Sequence, residues 1–501
     1  MNALLAPFLL MTGYAALFTK LLLRRFESSA LGDPDVGIAA QMFHTTLVHG
    51  MPLYNTIEAQ SHLGVHASPL YLVLVALYAL SPSIETILFL QAMAVALVTW
   101  PAWLMARDVV GPRAATAATC ALLLYHPLHG LTYDQINELA FAVTPLTFAL
   151  YFFLKRRWTP FWLFVFVTIT VKEEVGFVVM AWGLHCLLEA WLQRRSRRRD
   201  HAEDGGETAM LARQGVALLV VGAAAVYFAL YIFIPHFRQS GYAFFSERYA
   251  KFGTSLTDVV THLVLHPETT LGVMLRKQPV LYVLEMLLPF AFLPLRAPSL
   301  LIMTIPTFAI NMLSSNSSMH HTGGRYTALI IPFVYGATLV ATARLTAART
   351  ADLEGDDAAA ALATLRRIWM IRVAVLAAAC TLAFDATPLR AGFRLPPITE
   401  HQRKVVQAVG KIAPGASVST QPGPFQRLAV DRIEVYQGYH PGTDYILVDE
   451  TSPWFVINTY WDRDLPKALM EEPYQEIWHD DGIRLFRRFP PPRDAGRAHG
   501  H

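Results

Sequence analysis

Charge is scarce in this chain. Lys, Arg, Asp and Glu make up 16% of its 501 residues, and apolar residues make up 54%. A soluble globular domain carries about 25% charged residues, so the shortage excludes an ordinary water-soluble fold and points to a polytopic membrane protein. A strong excess of one sign is also lacking. The net charge is +3, which gives no basis for a nucleic-acid partner. Cysteine is nearly absent: Cys120, Cys186 and Cys380 stand far apart inside apolar runs. That excludes a disulfide framework and a cysteine metal site, and leaves three small hydrophobes. No repeat of fixed period is present. The apolar run Leu4 to Leu23 is too long for a signal-peptide core and has no small-residue cleavage site, so it reads as an uncleaved first span.

Long apolar stretches are plentiful. They fall at 4–23, 86–106, 114–131, 138–154, 159–171, 175–193, 214–236, 279–293, 298–312, 327–344 and 368–386. A span needs roughly 17–25 apolar residues, and runs 159–171 and 279–293 fall short. Lys and Arg in short loops mark the cytoplasmic side. Arg194, Arg195, Arg197, Arg198 and Arg199 form the strongest such cluster, joined by Lys155–Arg157, by Arg107 with Arg113, and by Arg344, Arg349, Arg366 and Arg367. Placing these four loops inside predicts an α-helical protein with about eleven transmembrane helices, multi-pass in the cell inner (plasma) membrane. Its N-terminus is then cytoplasmic and its C-terminus extracytoplasmic. Lys20, Arg24 and Arg25 dissent, because they would lie just outside the first helix.

Segment 69–81 is apolar but too short to span, and reads as a helix in the outer interface. From residue 388 onward, short β-like runs alternate with turn residues: Ala416–Thr420, Arg432–Tyr436, Tyr445–Asp449 and Gly482–Phe486. The expected division is a transmembrane unit over 1–387, its first outer loop (24–85) carrying interfacial helices, and a small extracytoplasmic α/β domain over 388–501.

Six carboxylates sit at the edges of the apolar runs: Asp33, Asp35, Asp134, Glu138, Glu173 and Glu174. An ionisable group at membrane depth is costly and marks a functional site by default. The basic loops thread all six onto the outer face. Joining them there are His62, His66, Lys172, Arg248, His320, His321, Arg325 and Tyr326. A carboxylate can deprotonate an incoming hydroxyl, cations can neutralise a phosphate leaving group, and paired carboxylates can hold a divalent cation. Each element also has a plainer reading. Asp33 and Asp35 flank Pro34 and suit a turn or a helix cap. Asp134 and Glu138 begin a helix, where acids suit the macrodipole. Lys172 with Glu173 or Glu174 suits a hairpin-tip ion pair, and His320 and His321 suit a wet interface.

The order of parts resembles the GT-C superfamily of polyprenol-phosphate-sugar glycosyltransferases. It is most similar to a bacterial and archaeal membrane-protein family, domain of unknown function 2079. The matching stretches are Asp35-Val-Gly-Ile-Ala-Ala-Gln41, His66-Ala-Ser-Pro69, Asp134-Gln-Ile-Asn-Glu138, Lys172-Glu-Glu174, Arg248-Tyr-Ala-Lys-Phe-Gly253 and Arg325-Tyr326, with Val418-Ser-Thr-Gln421 and Asp444–Asp449 in the tail. The resemblance implies sugar transfer, of inverting type, from a lipid-linked donor in the bilayer to an extracytoplasmic acceptor. It puts the catalytic base at Asp35, with Asp33 second, and supports Glu138 as a further catalytic group. Asp134, His66, Lys172, Glu173, Arg248, His320, His321, Arg325 and Tyr326 would bind substrate. A divalent cation, Mg or Mn, would sit on Asp35 and Glu138. Two departures from the superfamily stand out: Pro34 splits the acidic pair, and Tyr133 precedes Asp134 where an Arg is often found. A transporter or flippase, or a non-catalytic scaffold, is also compatible with intramembrane charge, although a transporter would favour an internal repeat.

Overall fold

Apolar length dictates the architecture. The computed structural model describes residues 4–28, 34–199, 206–239, 248–351, 355–384, 390, 393–457 and 459–489. Among these, six helices are long and apolar enough to cross a bilayer: Leu5–Glu27, Ile84–Val109, Val175–Arg197, Gly206–Phe237, Ile331–Arg349 and Asp357–Phe384. Four shorter apolar helices accompany them: Glu138–Leu154, Trp158–Ile169, Leu256–Leu265 and Pro298–Leu313. The chain is therefore a helical membrane protein, with fewer full-length spans than the eleven apolar runs suggest. Proline accounts for part of the difference, because it removes a backbone donor and ends a helix. Run 114–131 divides ahead of Pro127, and run 279–293 collapses into tight turns at Leu288–Phe290 and Leu293–Arg296.

The first half of the chain builds α1 (Leu5–Glu27), α2 (Asp35–His49), α3 (Leu70–Tyr78), α4 (Ile84–Ala96), α5 (Thr99–Val109) and α6 (Pro112–Leu123). It continues through α7 (His126–Tyr133), α8 (Val143–Leu154), α9 (Trp158–Ile169), α10 (Val175–Arg199) and α11 (Gly206–Phe228). The short helix expected at 69–81 is α3. Helices α10 and α11 form a tight hairpin because glycines let their backbones touch. A Cβ on Gly183 would stand 2.7 Å from the Gly215 carbonyl oxygen, and one on Gly222 would stand 2.7 Å from that of Gly176. One continuous apolar core joins α1, α2, α4 to α8, α10 and the helix Ile331–Arg349.

Between α2 and α3 lies a small hairpin, β1 (Tyr54–Asn55) with β2 (Gln60–Ser61), where no strand is legible in the sequence. The C-terminal residues form a five-stranded sheet in the order β4-β3-β5-β7-β6. Its strands are β3 (Val418–Thr420), β4 (Val435–Gln437), β5 (Tyr445–Asp449), β6 (Tyr474–Asp480) and β7 (Ile483–Arg488). Four of them match expected runs. The fifth, β6, is a mostly exposed edge strand whose Tyr474, Ile477 and Trp478 do not alternate along it. Helices Glu400–Gly410 and Pro422–Leu428 cover one face through Val405, Phe425 and Leu428, and Trp461–Glu471 covers the other through Trp461 and Leu465.

This sheet unit docks directly on α2. Gly37 lies so close to the Phe425 ring that a Cβ there would be 2.6 Å away. The Gln41 amide donates to the Ile433 carbonyl at 2.7 Å, and the Thr56 hydroxyl donates to the Val435 carbonyl. Arg427 reaches the Phe26 and Glu27 carbonyls at the end of α1. The helix that begins with Asp35 is thereby held from two sides.

Candidate functional site

Asp35 is the first residue of α2 and follows Pro34, which makes no side-chain capping bond to that helix. The Val36 N–H is taken instead by the Gln135 side chain at 3.3 Å. The Asp35 carboxylate turns to Arg325, with which it forms an ion pair through Oδ2. Arg325 also holds Asp134: its Nε and its backbone N–H both donate to Asp134 Oδ2, at 3.0 and 3.1 Å. Asp134 closes α7 and accepts from the Gln135 N–H through Oδ1. Arg325 follows the loop 314–324, which presses on α7 at Gly130; a Cβ there would stand 2.6 Å from Gly323. Burial works against charge on Arg325, but Asp134 and Asp35 outweigh it and hold the guanidinium firmly protonated.

A second chain of charges lies beside the first. The His62 Nδ1 meets the Glu58 carboxylate at 2.8 and 3.0 Å, and its Nε2 meets Glu138 Oε1 at 2.8 Å. Glu138 Oε2 then faces Lys172 Nζ at 3.5 Å. Burial presses the His62 ring toward neutrality, but Glu58 and the hydrogen bond to Glu138 more than reverse this and push its pKa up to about 10. Lys172 is likewise disfavoured by burial and kept charged by Glu138 and the two neighbouring glutamates. A third contact joins His66 Nδ1 to Glu173 Oε1 at 2.8 Å, with the Ala67 N–H on Glu173 Oε2 at 3.0 Å. Burial opposes ionisation of Glu173, but His66 pulls its pKa down to about 2. Glu174 differs, because burial pushes its carboxyl up and neighbouring cations do not restore it.

Several cavities border these groups. The smaller and more enclosed of the two polar ones, about 140 Å³, is lined by Asp35, Glu58, His62, Glu138, Lys172 and Arg248, among others. An open, polar one of about 720 Å³ shares Asp35, Arg325 and Tyr326 with it and adds Asp134, Glu285 and His321. An apolar crevice of about 220 Å³ starts at Glu173 and Glu174 and runs between Phe177, Leu230, Val259 and Leu313.

Most of the residues expected at the site do come together here: Asp35, Asp134, Glu138, His66, Lys172, Glu173, Arg248, His321, Arg325 and Tyr326. Asp33 lies outside the described residues. His320 lines neither polar cavity, and burial lowers its pKa, which unsuits it to holding a phosphate. Arg325 and Lys172 are engaged by carboxylates and do not stand as unpaired cations. The expected divalent cation finds a poor donor set. Asp35 faces a guanidinium, Glu138 faces an imidazolium and an ammonium, and among the described residues no group of three His, Cys, Asp or Glu side chains is placed to hold a metal. Glu58 and Glu285 are site residues that sequence reading missed, and His62 proves more central than expected. Glu58 stands four residues before His62, and Glu285 is a carboxylate inside an apolar run; both signals were available.

Comparison with known proteins agrees with this architecture. No curated protein sequence matches the chain. Among solved structures, ArnT from Cupriavidus metallidurans bound to undecaprenyl phosphate superposes with a TM-score of 0.52 at 16% identity, covering 95% of this chain and 98% of that one. The Archaeoglobus fulgidus oligosaccharyltransferase in complex with Zn and sulfate matches at a TM-score of 0.42 and 13% identity, over 96% of this chain and 73% of that one. The ArnT likeness establishes a GT-C-like fold. Residues 25–482 match one family throughout, and the chain belongs to the predicted membrane proteins of the DUF2079 family.

Proposed function

We propose that this protein transfers a glycosyl group from a polyprenyl-phosphate donor to an acceptor at the extracytoplasmic membrane surface, with Asp35 as general base. The observation that carries this reading is the position of Asp35 and Arg325 on the wall shared by the enclosed and the open cavity. A donor phosphate in the enclosed cavity meets Lys172, Arg248 and Tyr326. Its lipid tail has the apolar crevice, which opens beside the Lys172–Glu174 tip. An acceptor hydroxyl in the open cavity faces Asp35. The hydroxyl oxygen attacks the anomeric carbon, the bond from that carbon to the phosphate oxygen breaks, and the proton passes to Asp35. Arg325 directs the Asp35 carboxylate through their ion pair, and a base has to be held within reach of the proton it takes. His62, Glu58 and Glu138 fix the cationic wall and take no proton from the acceptor. A fold neighbour crystallised with undecaprenyl phosphate supports the donor class.

The side of the membrane assigned in this reading is supported by α10. That helix starts at the acidic tip and ends in Arg194, Arg195 and Arg197, and positive charge favours the cytoplasm. The site at its other end is then extracytoplasmic.

The test is turnover of radiolabelled undecaprenyl-phosphate sugars by the full-length protein in nanodiscs. Asp35→Asn should lower transfer by at least about 10²-fold, the scale of a lost general base, with membrane insertion unchanged. Full transfer by that variant would remove Asp35 from the mechanism.

A further inference from the structure

The two polar cavities differ in charge, and the difference bears on the acceptor. Among the described residues lining the enclosed cavity, Asp35, Glu58 and Glu138 are offset by Lys172, Arg248, Arg325 and the protonated His62. In the open cavity the balance reverses. Among the described residues, Asp35, Asp134 and Glu285 place three carboxylates on its wall against the single guanidinium of Arg325, and that guanidinium is already bound to two of them. Glu285 projects from the helix Lys277–Leu287 and is fixed by the Thr322 hydroxyl, which donates to its Oε2 at 2.9 Å. Asn316, Ser318 and His321 add hydrogen-bonding groups, and the Tyr326 and Phe384 rings add apolar surface. A concave site with a few polar groups and flanking rings suits a small, hydroxyl-rich ligand.

We infer that the open cavity is the acceptor site and that Glu285 makes it selective for a carbohydrate acceptor that is cationic or uncharged, excluding an anionic one. The inference rests on the transfer reading above and specifies its second substrate. A negatively charged acceptor would have to approach a wall on which three carboxylates share one guanidinium, whereas an amino sugar gains from the same excess of negative charge. Thr322 holds Glu285 in place, so the preference is built into the wall and does not depend on a mobile side chain.

Hydrogen–deuterium exchange of the full-length protein in nanodiscs tests this with three probes: methyl glucosaminide, methyl glucoside and methyl glucuronide. The glucosaminide and the glucoside should slow exchange in the segment 314–326. The glucuronide should need at least roughly tenfold more ligand for the same protection. Glu285→Gln, which can still accept from Thr322, should shrink the difference between glucosaminide and glucuronide severalfold. Equal protection by all three probes, stronger protection by the glucuronide, or no protection by any of them would each overturn the inference. Undecaprenyl phosphate serves as a separate arm, read at residues 172–174 and 248–252. Loss of that arm alone counts against the donor reading, and loss of the sugar arm alone counts against the acceptor site.

Discussion

Asp35 and Arg325 stand 290 residues apart in the chain and meet in an ion pair. Asp134 joins the same guanidinium. One arginine from the loop before Ile331–Arg349 thus fastens the start of α2 to the end of α7. The candidate base and the wall between the two polar cavities are set by a single side chain.

Arg325→Ala removes the guanidinium that Asp35 and Asp134 share. Hydrogen bonds to charged groups contribute about 1.5–3 kcal/mol, and the partial exposure of all three side chains places the loss toward the lower end. Thermal unfolding in detergent should show a clear drop in Tm for Arg325→Ala. Arg325→Lys should recover less than half of it, because an ammonium cannot reproduce the fork that reaches both carboxylates. A Tm for Arg325→Ala equal to that of the parent would show that the triad does not stabilise the fold.

His62 and Glu173 set opposite limits on pH. The His62 pKa is raised from 6.5 to about 10, so its contribution to stability is fully present below 6.5 and is lost as pH rises through 10. The Glu173 pKa is lowered from 4.5 to about 2, so its contribution is present above 4.5 and is lost as pH falls toward 2. Stability against pH should therefore form a plateau with an alkaline and an acid limb. In His62→Gln the alkaline limb should flatten between pH 7 and 10 while the acid limb stays, as circular dichroism melts can check. An unchanged alkaline limb would mean that His62 is not protonated in the native protein.

Much of this site is legible in the sequence for one reason: a carboxylate or lysine bordering an apolar run is costly there and needs a purpose. Asp35, Asp134, Glu138, Lys172 and Glu173 all announce themselves this way. Glu285 does too, but its run also ends in Pro289 and Pro294, so the helix stops short and the carboxylate faces a cavity instead of lipid. Pairing is what the sequence conceals. Glu58 is spaced to reach His62, yet the opposite ring nitrogen finds Glu138 across 76 residues of chain, and no local pattern encodes that. Strand β6 escaped because its apolar residues, Tyr474, Ile477 and Trp478, do not alternate along the strand.

Gly37 is where the C-terminal sheet touches α2, and the contact leaves no room for a side chain. Gly37→Val should push Phe425 and its helix away, costing about 1–3 kcal/mol as overpacking does. Limited proteolysis should then cut the segment after residue 393 faster than in the parent. Phe425→Ala in the same chain should restore part of the resistance, since it removes the ring that the valine meets. If the double variant is cut as fast as Gly37→Val alone, the ring is not the obstacle.

The apolar crevice offers the sharpest separation between lipid recognition and folding. Its wall includes Phe177, Leu230, Val259 and Leu313, and a large ring there would occupy the path assigned to the donor's tail without touching Lys172 or Arg248. Leu313→Trp should weaken undecaprenyl phosphate binding roughly tenfold, equivalent to about 1.4 kcal/mol. The Tm rise produced by saturating lipid should shrink accordingly, while the Tm without lipid should hold or increase because the ring fills a void. Inorganic phosphate, which has no tail, should bind both forms equally. Should the Trp variant bind undecaprenyl phosphate as tightly as the parent, the tail lies elsewhere and the crevice is not the donor's route.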